Sequence, residues 1–259
     1  MSTSPSEGLF IGFILDGNRR QEVEDLATVR GQTLTTSQLS FRDLVSAYTK
    51  GGEAVRGIME TARDGVVGTL ALWAWSEENM TQRGAEVREA TFAVIDSFLG
   101  DLEHAGRHDP ASADVRLVHM GRTDRLSEAD PVLLARIQRL CAETRERAGM
   151  VVALCCDYSG PQEADRAIRS WAEAGAQGDW RQYLDLPRQG VPFRPLDLLV
   201  RTGEDGGGLV HDNAFLHGYR NGQTEMAFTE TLLPHFTQDM FRAYLQRRLE
   251  AKGKRRGGK

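Results

Sequence analysis

The chain has 259 residues, of which 40% are hydrophobic and 27% charged, and its formal net charge is −5. This length and apolar content suit one α/β domain with a sizeable core. The acidic balance argues against a nucleic-acid or anionic-membrane partner, and the local exception is the basic tail, residues 250–259.

The first eight residues are polar and lack the basic and apolar segments of a secretory signal. No apolar run approaches the ~18 residues of a membrane span, so no transmembrane segment is expected. The three cysteines, Cys141, Cys155 and Cys156, are odd in number and lack zinc-ligand spacing. We therefore expect a cytoplasmic protein with free thiols.

Short apolar runs alternate with amphipathic segments along the chain. None of the runs alternates with polar residues, which predicts strands covered on both faces. Strands separated by helices predict a single α/β domain, residues 1–259, with a mainly parallel sheet flanked by helices. The expected strands are 9–15, 66–75, 115–120, 150–156 and 196–201, and the expected helices 53–64, 86–106, 131–148 and 162–176.

Two segments lack a regular pattern, and each follows the carboxyl end of a predicted strand. Residues 21–40 are polar, and residues 202–213 are rich in glycine. Open α/β sheets bind ligands at these ends of their strands. Both segments are therefore predicted to be active-site loops.

The first polar cluster, Asp16-Gly17-Asn18-Arg19-Arg20, directly follows the first strand. A carboxylate in this position suits a hard cation such as Mg²⁺. Gly17 permits close approach of the backbone to a ligand, and the guanidinium groups of Arg19 and Arg20 suit phosphate oxygens. Taken alone, however, an ordinary turn is the simpler interpretation.

Two further clusters follow later strands. Ser76 and Asn79 are able to fix a ligand or carry a proton, although a helix N-cap explains the same residues. Arg201, Thr202 and Gly203 lead into the glycine-rich segment, whose amides suit phosphate but which lacks a P-loop lysine. Because all three clusters follow strands, a parallel sheet is expected to bring them together.

The three clusters together resemble the cis-prenyltransferase (undecaprenyl diphosphate synthase-like) family. That family carries Asp-Gly-Asn-x-Arg, Ser-x-Glu-Asn and Asp-Leu-x-Ile-Arg-Thr-Gly stretches in this order. The corresponding segments here are 16–20, 76–79 and 197–203, followed by Glu225 before an aromatic strand, Pro234-x-Phe236 and Arg255-x-Gly257.

The resemblance implies a Mg²⁺-dependent prenyltransferase, a homodimer that acts on allylic diphosphates such as dimethylallyl and geranyl diphosphate and encloses an apolar tunnel. Asp16 would hold Mg²⁺ on the allylic diphosphate, and Glu225 would contribute to the metal network. Asn18 would lie near the reacting carbons. Ser76 and Asn79 would position substrate or help to remove a proton.

The resemblance also implies which groups bind diphosphate. Arg20, with Arg19 and the backbone of the Asp16–Gly17 turn, would grip the allylic diphosphate. Arg201, with Thr202 and Gly203, would bind the diphosphate of the second substrate. Arg255 and Gly257 would reach a diphosphate site across a dimer interface.

Several family features are altered. The family His-Lys-x-Gly stretch is Thr49-Lys50-Gly51-Gly52 here, without the histidine, and an expected arginine is displaced to Arg83. The family Arg-x-Ser is absent, and His211 or Arg220 remains open as its substitute.

These changes fall on phosphate-binding groups, chiefly at the second site, and favour an irregular head-to-middle (lavandulyl-type) coupling. Regular elongation with isopentenyl diphosphate is the alternative, and a non-catalytic partner subunit is the remote one. Trp73, Trp75, Phe92 and Phe98 favour a short product if they point into the tunnel, although ordinary core packing also explains them.

Overall fold

A computed structural model describes residues 8–64, 66–108, 114–204 and 211–257, with only the backbone described at 105–108 and 254–257. The strands in these ranges are β1 Leu9–Ile14, β2 Val67–Ser76, β3 Arg116–Met120, β4 Val151–Tyr158, β5 Leu198–Arg201 and β6 Glu225–Phe228. The helices are α1 Asn18–Arg30, α2 Phe41–Arg63, α3 Glu77–Gln82, α4 Ala85–His108, α5 Asp124–Ala129, α6 Pro131–Glu143, α7 Gly160–Glu173, α8 Asp185–Arg188 and α9 Gln238–Gly257.

The six strands form one parallel sheet in the order β3-β4-β2-β1-β5-β6. The predicted α/β architecture is therefore confirmed. From β1 the chain builds the sheet on one side through β2 and on the other side through β5. The carboxyl end of β1 is thus the switch point at which open α/β sheets form a ligand crevice.

Two apolar clusters cover the two faces of the sheet. On one face, Ile11 and Phe13 pack with side chains from α2, α4, α6 and α9. On the other, Phe10 and Ile14 pack with side chains from α7, α8 and the segment around Phe215. Because both faces are covered, every residue of β1 is buried and all but Gly12 are apolar, which explains the absence of alternation in this part of the sequence.

The prediction of a loop over residues 21–40 is wrong for most of its length. Helix α1 continues to Arg30, and a short 3₁₀ helix spans Thr36–Gln38. The helix was hard to predict because its buried residues, Gln21 and Glu22, are polar. Val23 and Leu26 supply its apolar contacts, in a small cluster separate from the main core.

Helix α2 starts twelve residues earlier than expected, because Ser40 and Asp43 form a reciprocal capping box before it. Residues 202–204 and 211–213 of the second predicted loop have no regular structure, and 205–210 lie outside the described residues. Helix α9 extends through most of the basic tail. Within the described ranges, none of the helices is both long and apolar enough to cross a bilayer.

Candidate active site

The backbone of Asp16 is held firmly where β1 ends. Its N–H donates to Thr202 Oγ1 over 3.0 Å, and its carbonyl accepts from the same hydroxyl over 2.8 Å. The Leu233 N–H also donates to this carbonyl, over 3.1 Å. Thr202 comes directly after β5, so two strand ends and a following 3₁₀ turn fix the position from which the Asp16 side chain projects.

The Asp16 carboxylate lies between two guanidinium groups. Its Oδ2 atom is 3.1 Å from Arg201 Nη2 and 3.5 Å from Arg20 Nη2. Its Oδ1 atom accepts from the Gly17 N–H over 2.7 Å. The side chain remains 42% exposed, so it is open to a ligand despite these contacts.

Gly203 allows the two loops to approach each other at this point. It adopts φ +71°, a left-handed conformation that favours glycine, and its carbonyl accepts a hydrogen bond from Arg20. A Cβ at Gly203 would lie 2.6 Å from Arg20 Nη2 and 3.0 Å from the Asp16 carbonyl oxygen. Any larger residue would therefore displace the guanidinium that faces Asp16.

Arg201 is further held on the side away from Asp16. Its Nε atom lies 2.6 Å from Glu204 Oε1, and its Nη1 donates to the carbonyl of His211. The side chain is 14% exposed. The guanidinium is therefore oriented before any ligand binds.

The first turn of α1 adds Asn18 and Arg19 to the site. Arg19 is half-buried, and among the described residues none forms a hydrogen bond or ion pair with its guanidinium. Burial lowers the pKa of Arg19 from its usual value, and the charges of Arg83 and Arg20 act in the same direction, against Tyr48 and Asp16. An anion is the partner that this group lacks.

Ser76 and Asn79 form the helix cap that the sequence suggested, and their role toward a ligand or a proton stays a prediction. Ser76 is the N-cap of α3, and its Oγ accepts from the Asn79 N–H over 2.9 Å. The Asn79 Oδ1 atom accepts from Arg83 Nε over 3.1 Å. Both side chains also border the cavity described next, so capping fixes them in the wall of the site.

A cavity of about 370 Å³ joins these groups to the interior of the fold. The lining at and just after the carboxyl ends of the strands is polar and includes Asp16, Asn18, Arg19, Arg20, Ser76, Glu78, Asn79, Arg83 and Arg201; we call this the polar end. The lining contributed by α2, α4, β2 and β4 is apolar and includes Val55, Leu72, Trp75, Val94, Ile95, Phe98 and Leu154; we call this the apolar end. This arrangement suits a ligand with a charged head and a hydrocarbon body.

Three of the four aromatic residues singled out in the sequence border the cavity. They are Trp73, Trp75 and Phe98. Phe92 instead packs edge-to-face against Trp75, with ring centroids 5.8 Å apart. A tunnel that accommodates a growing chain stays a prediction.

The structure separates Glu225 from Asp16 within the chain. Glu225 begins β6 and pairs in register with Leu198, whereas Arg201, which contacts Asp16, pairs with Phe228. Three residues along a strand correspond to roughly 10 Å. The Glu225 carboxylate lies 3.8 Å from Arg248. A contribution of Glu225 to the metal network therefore stays a prediction, which the geometry within one chain does not support.

Neither proposed substitute for the missing family arginine lines the cavity. Arg220 binds the Asp212 carboxylate and the Phe215 carbonyl, and His211 contributes its backbone carbonyl to Arg201. The side chains of Arg255 and Gly257 lie outside the described residues, although their backbone belongs to α9.

Several cavity residues were not predicted from the sequence. Tyr48 and Gly51 of α2 lie one helical turn apart and face the site, and Thr36, Gln82 and Asn213 also border it. Tyr48 directly precedes the altered Thr49–Gly52 stretch, which contains Gly51. A helical projection of residues 48–52 places Tyr48 and Gly51 on one face, and this signal would have identified both residues.

Known proteins match the chain over nearly its full length. Residues 14–257 match the family model described as "Putative undecaprenyl diphosphate synthase". The chain is 28% identical over 244 residues to an isoprenyl transferase of Chromobacterium violaceum, covering 92% of this chain and 85% of that protein. It is 25% identical over 204 residues to the (2E,6E)-farnesyl-diphosphate-specific ditrans,polycis-undecaprenyl-diphosphate synthase of Escherichia coli, covering 76% of each.

Solved structures share the same fold. A lavandulyl diphosphate synthase from Lavandula x intermedia has a TM-score of 0.70 at 21% identity, covering 92% of this chain and 93% of that one. A probable undecaprenyl diphosphate synthase from Campylobacter jejuni has a TM-score of 0.64 at 21% identity, covering 96% of each chain. With the family match over residues 14–257, the chain belongs to the undecaprenyl diphosphate synthase (cis-prenyltransferase) family and is a prenyltransferase.

Proposed function

We propose that the protein is a Mg²⁺-dependent synthase that joins an allylic diphosphate, dimethylallyl or geranyl diphosphate, to a second C5 diphosphate. The product is short. The observation that carries this proposal is the cavity itself, in which Asp16 and four arginines surround one end and apolar side chains line the other. A prenyl diphosphate has the same division into a charged head and a hydrocarbon body.

The donor set at Asp16 fits Mg²⁺. The described residues contain no group of three or more His, Cys, Asp or Glu side chains able to enclose a metal. Mg²⁺ typically binds one or two carboxylates and completes its shell with substrate phosphates and water. The half-exposed Asp16 carboxylate would hold it in this way. When bound, Mg²⁺ supplies neutralisation of negative charge on the departing diphosphate.

The chain's own groups account for the other requirements of the reaction. Arg19, Arg20 and the N–H groups in the first turn of α1 bind the allylic diphosphate and stabilise it as its C–O bond breaks. Arg201 holds the diphosphate of the second substrate. The double bond of that substrate attacks the allylic carbon, and a proton is then lost.

Three side chains are assigned to the hydrocarbon part of the reaction. Asn18, whose Oδ1 is buried without a hydrogen-bond partner among the described residues, is assigned to the reacting carbons. Ser76 and Asn79 border the same cavity and orient the substrate or take part in removing the proton.

We propose further that the coupling is irregular and head-to-middle, with an allylic diphosphate as second substrate. Support comes from the altered second site, because Arg220 is occupied by Asp212 and the His211 side chain does not border the cavity. Each charge-assisted hydrogen bond lost from a diphosphate costs roughly 1.5–3 kcal/mol. The second site therefore departs from the one that the family pattern implies for isopentenyl diphosphate.

Regular elongation with isopentenyl diphosphate is the second candidate. Relatives of the chain favour it, including the undecaprenyl-diphosphate synthase of Escherichia coli at 25% identity. The cavity already contains Arg201 for a second diphosphate. The non-catalytic alternative is disfavoured because Asp16 and its two arginines are all in place.

A homodimer is proposed from the course of α9. The helix starts close to Leu233, which contacts Asp16, and its Arg248 contacts Asp197 before the start of β5. Arg248 therefore lies near the opposite edge of the sheet from Asp16. Arg255 follows about 10 Å further along the helix. A role for Arg255 and Gly257 in diphosphate binding would thus serve the site of a second copy.

The deciding experiment incubates the protein with dimethylallyl diphosphate and Mg²⁺, with and without isopentenyl diphosphate, and identifies products by mass spectrometry and NMR. A branched diphosphate from dimethylallyl diphosphate alone is expected. A linear Z-product that forms only with isopentenyl diphosphate would establish regular elongation instead. Absence of turnover with dimethylallyl and geranyl diphosphate under both conditions would contradict the proposed activity and revive the partner-subunit alternative.

A further inference from the structure

Helix α1 carries Asn18, Arg19 and Arg20 in its first turn, yet apolar packing holds it only weakly. Its two buried residues, Gln21 and Glu22, are polar. Its half-buried apolar residues pack in a small cluster outside the main core. A helix of 13 residues is marginally stable without tertiary contacts. Polar contacts must therefore fix the position of α1.

Those contacts centre on Lys50 of α2. Its Nζ atom lies 2.8 Å from Glu22 Oε2 and 2.6 Å from Asp25 Oδ2. Ser46 Oγ lies 3.3 Å from the same Glu22 oxygen, and Gln21 Nε2 lies 2.9 Å from Asp25 Oδ1. We call Glu22, Asp25 and Lys50 the Lys50 bridge. It joins the first two turns of α1 to the middle of α2.

The bridge is partly removed from water. The Glu22 side chain is 6% exposed, whereas those of Lys50 and Asp25 are each 40% exposed. A buried carboxylate whose counter-charge is removed is strongly destabilised. Lys50 is the cation that neutralises Glu22, and its hydrogen bond to Asp25 is the main cause that raises the pKa of Lys50. Without Lys50, the Glu22 carboxylate would be more stable in water than in its buried position. Loss of Lys50 would therefore move α1 away from α2.

A second contact lies directly beside the bridge. Gly51 packs so closely against Asn18 that a Cβ at this position would overlap the Asn18 Oδ1 atom. Gly51 and Asn18 both border the cavity. The residue next to Lys50 in sequence thus contacts the first residue of α1, and any movement of α1 on α2 is transmitted to the diphosphate end of the cavity.

We propose that Lys50, acting through Glu22 and Asp25, is a positioning residue that fixes α1 on α2 so that Asn18, Arg19 and Arg20 are arranged for diphosphate before it binds. Groups arranged in advance bind more tightly, because their ordering does not oppose binding. This inference rests on the proposed function for the identity of the natural ligand. It is testable with inorganic diphosphate alone.

The test compares Lys50→Met, Lys50→Arg and the control Arg56→Met. Arg56 lies on the same helix and forms an exposed ion pair with Asp101, 2.5 Å away, but it does not border the cavity. Three quantities are measured: hydrogen exchange of residues 18–30, calorimetric affinity for inorganic diphosphate with Mg²⁺, and kcat and KM for dimethylallyl diphosphate.

Lys50→Met is expected to speed exchange in α1 and to weaken diphosphate binding by about tenfold or more. Exchange in β1 and β2 should stay as in the wild type. Lys50→Arg should retain most of the affinity because it keeps the positive charge. Arg56→Met should change neither the hydrogen exchange of α1 nor the affinity for diphosphate. KM for dimethylallyl diphosphate should rise in parallel with the weakened binding.

The inference is overturned if Lys50→Met leaves exchange in α1 and diphosphate affinity unchanged, or if Arg56→Met produces the same losses. Uniformly faster exchange through the sheet strands would also contradict it, since that result indicates general unfolding. Failure of the proposed function is a separate result: the Lys50 variants would behave as expected toward inorganic diphosphate, while the wild type turns over no prenyl diphosphate.

Discussion

The Asp16 Oδ2 atom and the Arg201 Nη2 atom lie 3.1 Å apart, although 185 positions separate the two residues in sequence. Parallel pairing of β1 with β5 aligns Ile14 with Arg201, so both groups emerge at the same edge of the sheet. Without ligand, the carboxylate and the guanidinium neutralise each other. A bound diphosphate would replace Asp16 as the partner of Arg201. A divalent cation would replace Arg201 as the partner of Asp16.

Replacing Arg201 tests its assignment to the second substrate. Arg201→Ala removes one charge-assisted contact and is expected to raise KM for the second diphosphate roughly 10- to 100-fold. Arg220→Ala is the matched control, because Arg220 is bound to Asp212 outside the cavity. Steady-state kinetics with each substrate varied in turn will separate the two. A larger rise in KM for Arg220→Ala would reverse the assignment.

Gly203→Ala tests the close approach of Arg20 to the Asp16 turn. The new Cβ would meet Arg20 Nη2, so diphosphate affinity and kcat are both expected to fall. The left-handed backbone adds a strain of about 1–2 kcal/mol. Gly31→Ala is a matched control, since Gly31 has φ +64° with nothing within 4 Å of the added Cβ. Equal activity losses in the two variants would show that strain alone, and not contact with Arg20, is responsible.

Enlarging the apolar end of the cavity should lengthen the product. Phe98→Ala removes a ring that borders this end, and longer prenyl diphosphates are expected by mass spectrometry. The substitution also destabilises the fold by about 3–5 kcal/mol. Leu99→Ala serves as control, because Leu99 is fully buried on the same helix but does not border the cavity. An unchanged product distribution for Phe98→Ala would place the chain-length limit elsewhere.

A buried carboxyl group on the other face of the sheet should make stability depend on pH. Burial, assisted by the charge of Asp185, raises the pKa of Glu163 to about 8, and Tyr158 and Tyr219 donate hydrogen bonds to it. The folded state therefore binds a proton more tightly than the unfolded state. Its stabilising contribution is present below the unfolded pKa of about 4.5 and is lost as pH rises through about 8.

Denaturant titrations of the wild type and Glu163→Gln between about pH 5 and 9 test this dependence. The free energy of unfolding of the wild type should fall over this range, and that of the glutamine variant should fall less steeply. Identical slopes for the two proteins would show that Glu163 is not the group responsible.

The architecture was predictable because apolar runs such as 9–15 and 150–156 are typical of strands covered on both faces. The same reasoning located Asp16, Ser76 and Arg201, since each lies at or directly after the end of such a run. Helix α1 was missed because its buried residues are polar. Its position depends on Lys50, which belongs to α2. The periodicity of apolar residues within α1 therefore does not reveal this contact.

The distance of Glu225 from Asp16 could not be predicted from the sequence. The place of Glu225 before an aromatic strand matched the family pattern, but strand register, which sequence order does not define, sets it level with Leu198 and away from Asp16. Asn18 and Gly51 fall in the same class, because their contact depends on how closely two helices approach. Local patterns therefore located single groups, while distances between groups required the fold.

The most direct test of the account is the turnover of dimethylallyl diphosphate by Asp16→Ala, measured with Mg²⁺ beside the wild type. Equal thermal unfolding and circular dichroism must first show that the variant is folded. We predict a loss in kcat of about 100- to 1000-fold, because the carboxylate that would hold Mg²⁺ on the leaving group is gone. Near-wild-type turnover by folded Asp16→Ala would contradict the assignment of this carboxylate as the centre of the site.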